Sequence, residues 1–340
     1  MGIGGPSSAD RAADLQSSLL DSSGNEDYHH LVKIRIGHLS TFYHTAILLM
    51  AREDLSGSLG GLIDWRLFGT GPAIMQAFSR AQLDLAYVGL PPAIIGMAQG
   101  IAVRCVAGGH MEGTVVCGKD RWQAFPEAGD LGAVLDQFCG MTIGVPGKGS
   151  IHDVILEDSL VRWGLEREIA VRNYPWADLV TEAVVKDEVA AAFGTPALAV
   201  AVRRYAGGKV LYPPSLLWPS NPSYGIVVSQ EFLHSQRDVV RRFLTAHEAA
   251  SAVLRVEPAG AAADIAAFVG VVDTDFVRKT LGLSPRYCAQ LPEDYIASTM
   301  EFVRALLRMG YMKKELTAEE IFDRTLIDEV HPGPDHYGPR

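Results

Sequence analysis

The sequence predicts an α/β protein with two lobes, each built on a mostly parallel sheet flanked by helices, and with a helical C-terminal extension on lobe one. Three observations predict this fold. The 340 residues are more than a single core usually holds. Strand-like and helical stretches alternate along most of the chain. Two proline-containing segments, residues 119–130 and 212–225, interrupt the alternation where the chain could cross between lobes.

The first alternation is expected to build lobe one. Its strands are short apolar runs, and its helices follow turns that carry glycine or hydroxyl groups. The strands are predicted at residues 32–37, 62–68, 83–88, 101–106 and 114–118, and the helices at residues 42–55, 72–80 and 91–98.

The second alternation is expected to build lobe two, after which the chain returns to lobe one. Its strands are predicted at residues 141–145, 169–171, 189–193 and 209–212, and its helices at 150–163, 177–185 and 196–204. The return adds a strand at 226–229 and helices at 236–255, 259–268 and 294–309. The predicted domains are a flexible leader (1–30), lobe one (31–120 with 223–330), lobe two (121–222) and a flexible tail (331–340).

Composition narrows the function classes. The net charge of −10, without a stripe of Lys or Arg, argues against nucleic-acid binding. No apolar run approaches the ~18–20 residues of a membrane span. The four cysteines are scattered without CxxC spacing, so neither a cofactor nor a metal site is expected. Residues 1–30 lack the apolar core of a signal peptide, which predicts a cytoplasmic protein as sequenced, or a periplasmic or membrane-surface one if the N-terminus is incomplete.

Several strands end directly in the start of a helix, with glycine, proline or a hydroxyl residue at the junction. Examples are the stretch from Gly69 to Pro72, the stretch from Gly89 to Pro92, and Thr195 before Pro196. Glycine lets backbone amides approach a ligand, and proline in the first turn presets the helix. The free amides and the positive end of the helix dipole suit a carboxylate, sulfonate or phosphate. Each junction alone could be ordinary turn chemistry, but several of them in two lobes favour a ligand cleft.

The side chains at these junctions form the predicted ligand site. Hydroxyls could donate to ligand oxygens or simply cap helices, and aromatic walls suit a planar or partly apolar ligand. Phe42 is explained equally well as core. The predicted ligand-binding residues are Ser40, Thr41, Tyr43, Gly69, Thr70, Gly71, Gly89, Leu90, Pro91, Gly149, Ser150, Ile151, His152, Trp176, Thr195 and Trp218.

An enzyme would need reactive groups in the same cleft. The candidates are Lys148, His38, His44, His110 and Glu112. Lys148 could act as a nucleophilic amine if burial lowered its pKa, and the histidines could serve acid–base or metal chemistry. Their spacing matches no metal-ligand motif, so polar contacts with a ligand are the favoured role.

The chain resembles a known family in four stretches. They are "FGTGPAIMQAFSRAQLDLAYVGLPPAIIGMAQGIAVRCVAGG", "GMTIGVPGKGSIHDVILEDSLVRWGL", "VVKDEVAAAFGTPALAVAV" and "VVRRFLTAHEAASAVLRVEPAGAA". All are similar to segments of type II periplasmic solute-binding proteins of the nitrate/sulfonate/taurine (thiamine-pyrimidine-like) ABC transporter family. Ser150 of this sequence matches a serine that contacts the bound anion in that family.

The resemblance implies a periplasmic-binding-protein fold whose lobes close by a hinge around a ligand. The expected function is to trap a small, anionic organic ligand of the sulfonate, nitrate, taurine or pyrimidine type for an ABC importer. The expected partners are the ligand and, if the protein is exported, an ABC permease. The alternative is a cytosolic enzyme or ligand sensor on the same scaffold, of the thiamine-pyrimidine or menaquinone-pathway type. The cysteine-rich motif of thiamine-pyrimidine synthases is absent.

Overall fold

The computed structural model describes residues 33–59 and 62–338, so the predicted leader at 1–30 lies outside the described residues. Two five-stranded sheets form the two lobes. The first sheet has the order β2-β1-β3-β10-β4 and the second has the order β7-β6-β8-β5-β9. The first contains β1 (Lys33–Leu39), β2 (Leu62–Phe68), β3 (Leu85–Val88), β4 (Val103–Met111) and β10 (Pro222–Ser229). The second contains β5 (Val115–Lys119), β6 (Thr142–Pro146), β7 (Ala170–Tyr174), β8 (Ala191–Gly194) and β9 (Gly208–Tyr212).

Each sheet is mostly parallel, as the sequence predicts. In the first sheet β10 runs antiparallel to β3 and β4, and in the second β5 runs antiparallel to β8 and β9. These two strands are the first after each crossing between lobes. The inner strands β3 and β8 are buried along their whole length, which explains their continuous apolar sequences, LAYV and AAFG. The predicted α/β two-lobe fold class is confirmed.

Helices follow most of the parallel strands. They are α1 (Thr45–Ala51), α2 (Glu53–Ser56), α3 (Gly71–Ser79), α4 (Leu90–Ala98), α5 (Leu131–Asp136), α6 (Ile151–Trp163), α7 (Ala177–Val185), α8 (Pro196–Ala206), α9 (Pro214–Leu217), α10 (Gln230–Ser235), α11 (Arg237–Val256), α12 (Pro258–Val269), α13 (Thr274–Leu283), α14 (Glu293–Arg308), α15 (Ala318–Ile321) and α16 (Thr325–Val330). Among the described residues, no helix is both long and apolar enough to cross a bilayer.

Local chemistry explains where the helices begin. The hydroxyls of Thr70, Ser150 and Thr195 accept hydrogen bonds from backbone amides three residues further on, which satisfies one of the free donors of α3, α6 and α8. Helix α6 ends at Gly164, whose φ of 70° is a left-handed conformation that glycine adopts without strain. The capping role predicted for these three hydroxyl residues is therefore present in the fold.

The first crossing lies earlier in the chain than predicted. The chain leaves β4 and enters β5 through Glu112, Gly113 and Thr114, whereas the predicted crossing at 119–130 lies within the second lobe. Strand β5, which the predicted boundary at residue 120 assigns to lobe one, accordingly pairs in the second sheet. The second crossing lies between β9 and β10, inside the predicted segment. The remaining lobe boundaries stay a prediction.

The two crossings are joined by hydrogen bonds and form a hinge, which we define as residues 112–114 and 220–223. The amide of Glu112 donates to the carbonyl of Asn221 at 2.8 Å, and its carboxylate accepts from the amide of Ser220 at 2.9 Å. Arg286 forms an ion pair with the same carboxylate. Glu112 (φ 58°) and Ser220 (φ 55°) both adopt a left-handed backbone, which turns each crossing sharply.

The end of the described chain is packed, in contrast to the flexible tail expected at 331–340. Tyr337 is 2% exposed and its hydroxyl accepts a hydrogen bond from the amide of Gly109 at 3.1 Å. Arg286 donates to the carbonyl of Tyr337 at 2.7 Å. His331 is also buried. The Pro- and Gly-rich composition suggested flexibility, but one buried aromatic ring holds this segment on β4.

Outside the hinge, an ion pair links the lobes. Arg204 at the end of α8 contacts Asp273 before α13 through two hydrogen bonds of 2.8 and 3.0 Å. We call this pair the interlobe clasp. Closer in, a Cβ placed on Gly147 of lobe two would lie 2.6 Å from the Thr70 methyl group of lobe one. The described conformation is therefore closed.

Candidate functional site

A cavity lies between the two lobes, at the ends of the strands that lead into helices. It contains about 880 Å³ of space when the open solvent at its mouth is included. Helices α3, α4, α6, α7 and α8 all begin at this cavity. The first-turn amides of a helix have no backbone partner within it, so each of these helix starts can offer the amides that a capping hydroxyl or a proline does not remove.

The wall from lobe one is the loop between β1 and α1. Thr41 and His44 in this loop are buried, and neither Oγ1 of Thr41 nor Nδ1 of His44 has a hydrogen-bond partner within the described residues. The ring of Tyr43 packs against His44 with centroids 4.7 Å apart, and Phe42 meets Phe276 of α13 edge to face at 5.9 Å. Buried polar atoms are normally satisfied. These two are therefore available to a ligand.

The wall from lobe two is built around Ser150 and His152. The Ser150 hydroxyl donates to the carbonyl of Pro146 at 2.8 Å and accepts from the amide of Asp153 at 3.3 Å, so it is engaged within the protein. Nδ1 of His152 lies 2.9 Å from Oγ1 of Thr114 in the hinge, which orients the ring. The amides of Ile151 and His152, which precede Asp153 in the first turn of α6, have no partner within the helix.

The cavity lining has almost no formal charge at neutral pH. Burial lowers the pKa of His152 to about 4 and holds the pKa of His44 well below its ordinary value, so both imidazoles are neutral. Among the lining residues, Asp178 is then the one with a formal charge, and it is exposed. An anion in this cavity would rely on helix N-termini and neutral donors instead of Arg or Lys.

The structure brings most of the predicted ligand-binding residues to this cavity. Those that line it are Ser40, Thr41, Tyr43, Gly69, Thr70, Gly71, Gly89, Ser150, Ile151, His152 and Thr195. These residues could be predicted because the glycine, proline and hydroxyl residues of a strand-to-helix junction are neighbours in the sequence. Whether these residues bind a ligand stays a prediction.

Five predicted ligand-binding residues lie outside the lining. Leu90 and Pro91 are buried in the first turn of α4. The amide of Gly149 donates to the Asp153 carboxylate at 2.8 Å. Trp176 borders a shallow cleft outside the cavity. Trp218 stacks on Phe302 of α14 with centroids 4.3 Å apart, as part of the core.

The candidates for an enzymatic role occupy different positions, although burial and the nearby rings of His110 and His38 lower the pKa of His44, so these three histidines lie close together. Of the five, only His44 lines the cavity, and Lys148 borders surface clefts instead. His38 packs edge-on against Trp65, and His110 is fully buried with Nδ1 2.9 Å from Oγ of Ser223. Glu112 belongs to the hinge. Lys148, His38, His110 and Glu112 therefore have positions in the fold that do not require a catalytic role.

Several residues that line the cavity were not predicted from the sequence. They are Leu39, Pro92, Pro146, Ala177, Asp178, Thr181, Ala197, Leu198, Ala201, Ser223 and Phe276, together with Phe42, which could equally have been core. Thr181 and Ala201 lie one turn into α7 and α8, so helical periodicity from the junctions could have indicated them. Phe276 arrives from the C-terminal extension, and no local pattern points to it.

Comparison with known proteins supports the fold. Three solved structures are similar over most of both chains. A zinc-bound ligand-binding component of an ABC-type import system from Staphylococcus aureus has a TM-score of 0.73 at 16% identity, covering 88% of this chain and 99% of that one. The alkanesulfonate-binding protein from Xanthomonas axonopodis pv. citri bound to MOPS has 0.71 at 17% identity, with coverages of 86% and 98%. The periplasmic nitrate-binding protein from Synechocystis PCC 6803 has 0.71 at 12% identity, with both coverages at 89%.

At these identities the likeness shows the fold alone, and it is the type II periplasmic-binding-protein fold that the resemblance implied. No curated protein matches the sequence. The sequence profile of one family does match, over residues 28–270, which is more than half of the chain. The protein therefore belongs to the NMT1-like family.

Proposed function

We propose that this protein is the solute-binding component of an ABC importer and that it closes around a small organic anion of the sulfonate or carboxylate type. The observation that carries the proposal is the interlobe cavity, which is lined by helix starts from both lobes and by Thr41 and His44, whose buried Oγ1 and Nδ1 have no partner among the described residues. The similar structures that bind alkanesulfonate or nitrate support an oxyanion head group.

The geometry also supports binding without chemistry. A hinge of two crossings and a clasp at the opposite side let the lobes close as rigid bodies. Closure would bury the head group among fixed dipoles, which replace its lost water. The alternative enzyme would need several reactive groups aimed at the ligand, and of the five predicted only His44 lines the cavity. A permease is the partner that this function requires, and the protein would then act at the outer face of the membrane.

A ligand panel tests the proposal. Alkyl and aromatic sulfonates, carboxylates, nitrate and neutral pyrimidines are screened by thermal shift and then by calorimetry. A true ligand at 100 times its Kd stabilises the folded protein by about 2.7 kcal/mol. Mass spectrometry of the released ligand should show it unchanged. A panel without any binder, or conversion of the ligand, would reject the function; binding confined to neutral pyrimidines would reject the anionic ligand class.

A variant ties the binding to the cavity. Thr41→Val removes a hydroxyl that has no partner in the protein, so the melting temperature of the free protein should not fall. Affinity should fall by about 2- to 100-fold, since a hydrogen bond is worth about 0.5–3 kcal/mol depending on the charge of its partner. The matched control is Thr299→Val, which removes a buried hydroxyl bonded to Tyr295 within α14 and should leave affinity unchanged. Equal affinities in the two variants would place the ligand elsewhere.

A further inference from the structure

Four side chains with metal-binding atoms meet on lobe one, outside the interlobe cavity. Glu248 comes from α11, Cys288 from the connection between α13 and α14, and His331 and His336 from the segment after α16. One ligand atom from each lies within 4.8 Å of the others. None of the four lines the interlobe cavity. They are therefore a separate cluster with no role in the proposed function.

The distances within the cluster match the edges of a tetrahedral coordination shell. Sγ of Cys288 lies 3.6 Å from Nε2 of His331 and 3.6 Å from Nδ1 of His336, and the two nitrogens are 3.1 Å apart. Bonds to Zn²⁺ of about 2.3 Å for sulfur and about 2.0–2.1 Å for nitrogen give edges of about 3.5 Å and about 3.4 Å. The three atoms thus leave room for one ion at their centre.

Glu248 supplies a fourth atom at slightly longer range. Its Oε1 lies 3.8 Å from Nε2 of His331 and 4.0 Å from Nδ1 of His336. The carboxylate is held in place by Arg255 at 2.7 Å and by the amide of Ala289 at 2.8 Å. Such outer partners orient metal ligands. Oε1, which also accepts from Arg255, is therefore the fourth candidate ligand atom.

The surroundings support a bound cation. Cys288 is fully buried and His331 nearly so, whereas His336 is half exposed and leaves a path from solvent. The amide of Gln290 points at the Cys288 sulfur from 3.5 Å, and its side chain donates to the carbonyl of His331 at 2.8 Å. The sulfur of Cys288 and the backbone of His331 are thereby held from outside the cluster.

We propose that Glu248, Cys288, His331 and His336 form a structural zinc site that fastens residues 331–338 to lobe one. A set of one sulfur, two imidazoles and one carboxylate suits Zn²⁺, and two anionic ligands balance its charge. All four positions are filled by the protein, which is the pattern of structural sites and not of catalytic ones. The spacing of His331 and His336 falls within the His-x3–5-His range of structural zinc sites, but sequence reasoning missed the site because Cys288 lies 43 residues before His331.

Metal analysis of the full-length protein tests the proposal. Protein expressed with zinc and dialysed against metal-free buffer should retain one zinc ion per chain. Cobalt substitution should give the visible bands of tetrahedral Co²⁺ and a thiolate-to-metal charge-transfer band in the near ultraviolet. Cys288→Ser should abolish that charge-transfer band, and His336→Ala, at a half-exposed position, should lower zinc affinity at least about 100-fold, since losing even an outer partner costs about 10–100-fold.

The chain offers matched controls. Cys139→Ser changes an exposed free cysteine and His234→Ala an exposed histidine, and both should keep the metal and the spectrum. Circular dichroism confirms that each variant is folded. Zinc content well below one per chain in the wild type with zinc supplied, or a charge-transfer band that survives Cys288→Ser, would overturn the site. The zinc content does not depend on whether the protein binds a solute. The zinc site and the solute-binding function can therefore be rejected independently of each other.

Discussion

A single negative charge placed at the start of α3 should separate an anionic ligand from a neutral one. Thr70 caps this helix by accepting from the amide of Ala73 at 3.4 Å, and it lines the cavity. Aspartate and asparagine both cap helices as well as threonine or better. Thr70→Asp and Thr70→Asn have nearly the same shape, so any steric effect beside Gly147 is common to both.

The expected difference follows from Coulomb's law. At a separation of about 6 Å and an effective dielectric constant of about 20–40, two negative charges repel by about 1.4–2.8 kcal/mol. Thr70→Asp should therefore bind an anionic ligand about 10- to 100-fold more weakly than Thr70→Asn. Their melting temperatures without ligand should agree closely, because the cap is preserved in both.

Calorimetry with both variants at low and moderate salt measures this difference. The ratio of the two Kd values should shrink as salt rises, since part of the repulsion is screened. Equal Kd values for the two variants at low salt would refute the reasoning, because they would show that the bound group is uncharged or lies far from this helix. A variant that unfolds would be recognised by its melting temperature before binding is compared.

Three further predictions concern closure and pH. Gly147→Ala should obstruct closure and lower the affinity for the ligand at least about tenfold. The control Gly207→Ala also has a left-handed backbone but open space around it, so it should cost only about 1 kcal/mol of stability. Equal ligand affinities of the two variants in calorimetry would contradict the closed conformation. Arg204→Gln removes the interlobe clasp, and because this pair is partly exposed we expect only a two- to fivefold faster ligand dissociation in stopped flow. Burial lowers the pKa of His110 to about 3 and that of His152 to about 4, so the unfolded chain takes up their protons first as pH falls. As the pH falls from about 6.5 to 4, these two groups should together lower the free energy of unfolding by about 3 kcal/mol per pH unit at most. A denaturant midpoint that does not change over this pH range would contradict the prediction.

The sequence predicted the parts of the fold that depend on neighbouring residues. The alternation of strand-like and helical stretches predicted both sheets. The junction residues Thr70, Ser150 and Thr195 lie at one cavity because parallel strands end on the same edge of a sheet. Their hydroxyls cap helices within the protein, whereas the sequence left open whether they cap helices or face a ligand. That distinction depends on hydrogen bonds and could not be seen in the sequence.

The parts that sequence reasoning missed depend on distant partners. Glu112 is a hinge residue because Asn221 and Arg286 meet it, and both are more than 100 positions away. Trp218 faces the core because α14 packs over it. The packed C-terminal segment follows from Tyr337 reaching β4. The sequence suggested a reactive group for Glu112, a ligand wall for Trp218 and a flexible tail for Tyr337, and only the tertiary contacts decide otherwise.

The scarcity of formal charge around the cavity has a consequence for how fast a solute is captured. An anion approaches a protein of net charge −10 through a mouth that carries Asp178, so the long-range field opposes the encounter. Added salt screens that field beyond about 10 Å and screens contacts inside the cavity less. If the ligand is the proposed anion, its association should therefore quicken with ionic strength more than its release rate changes.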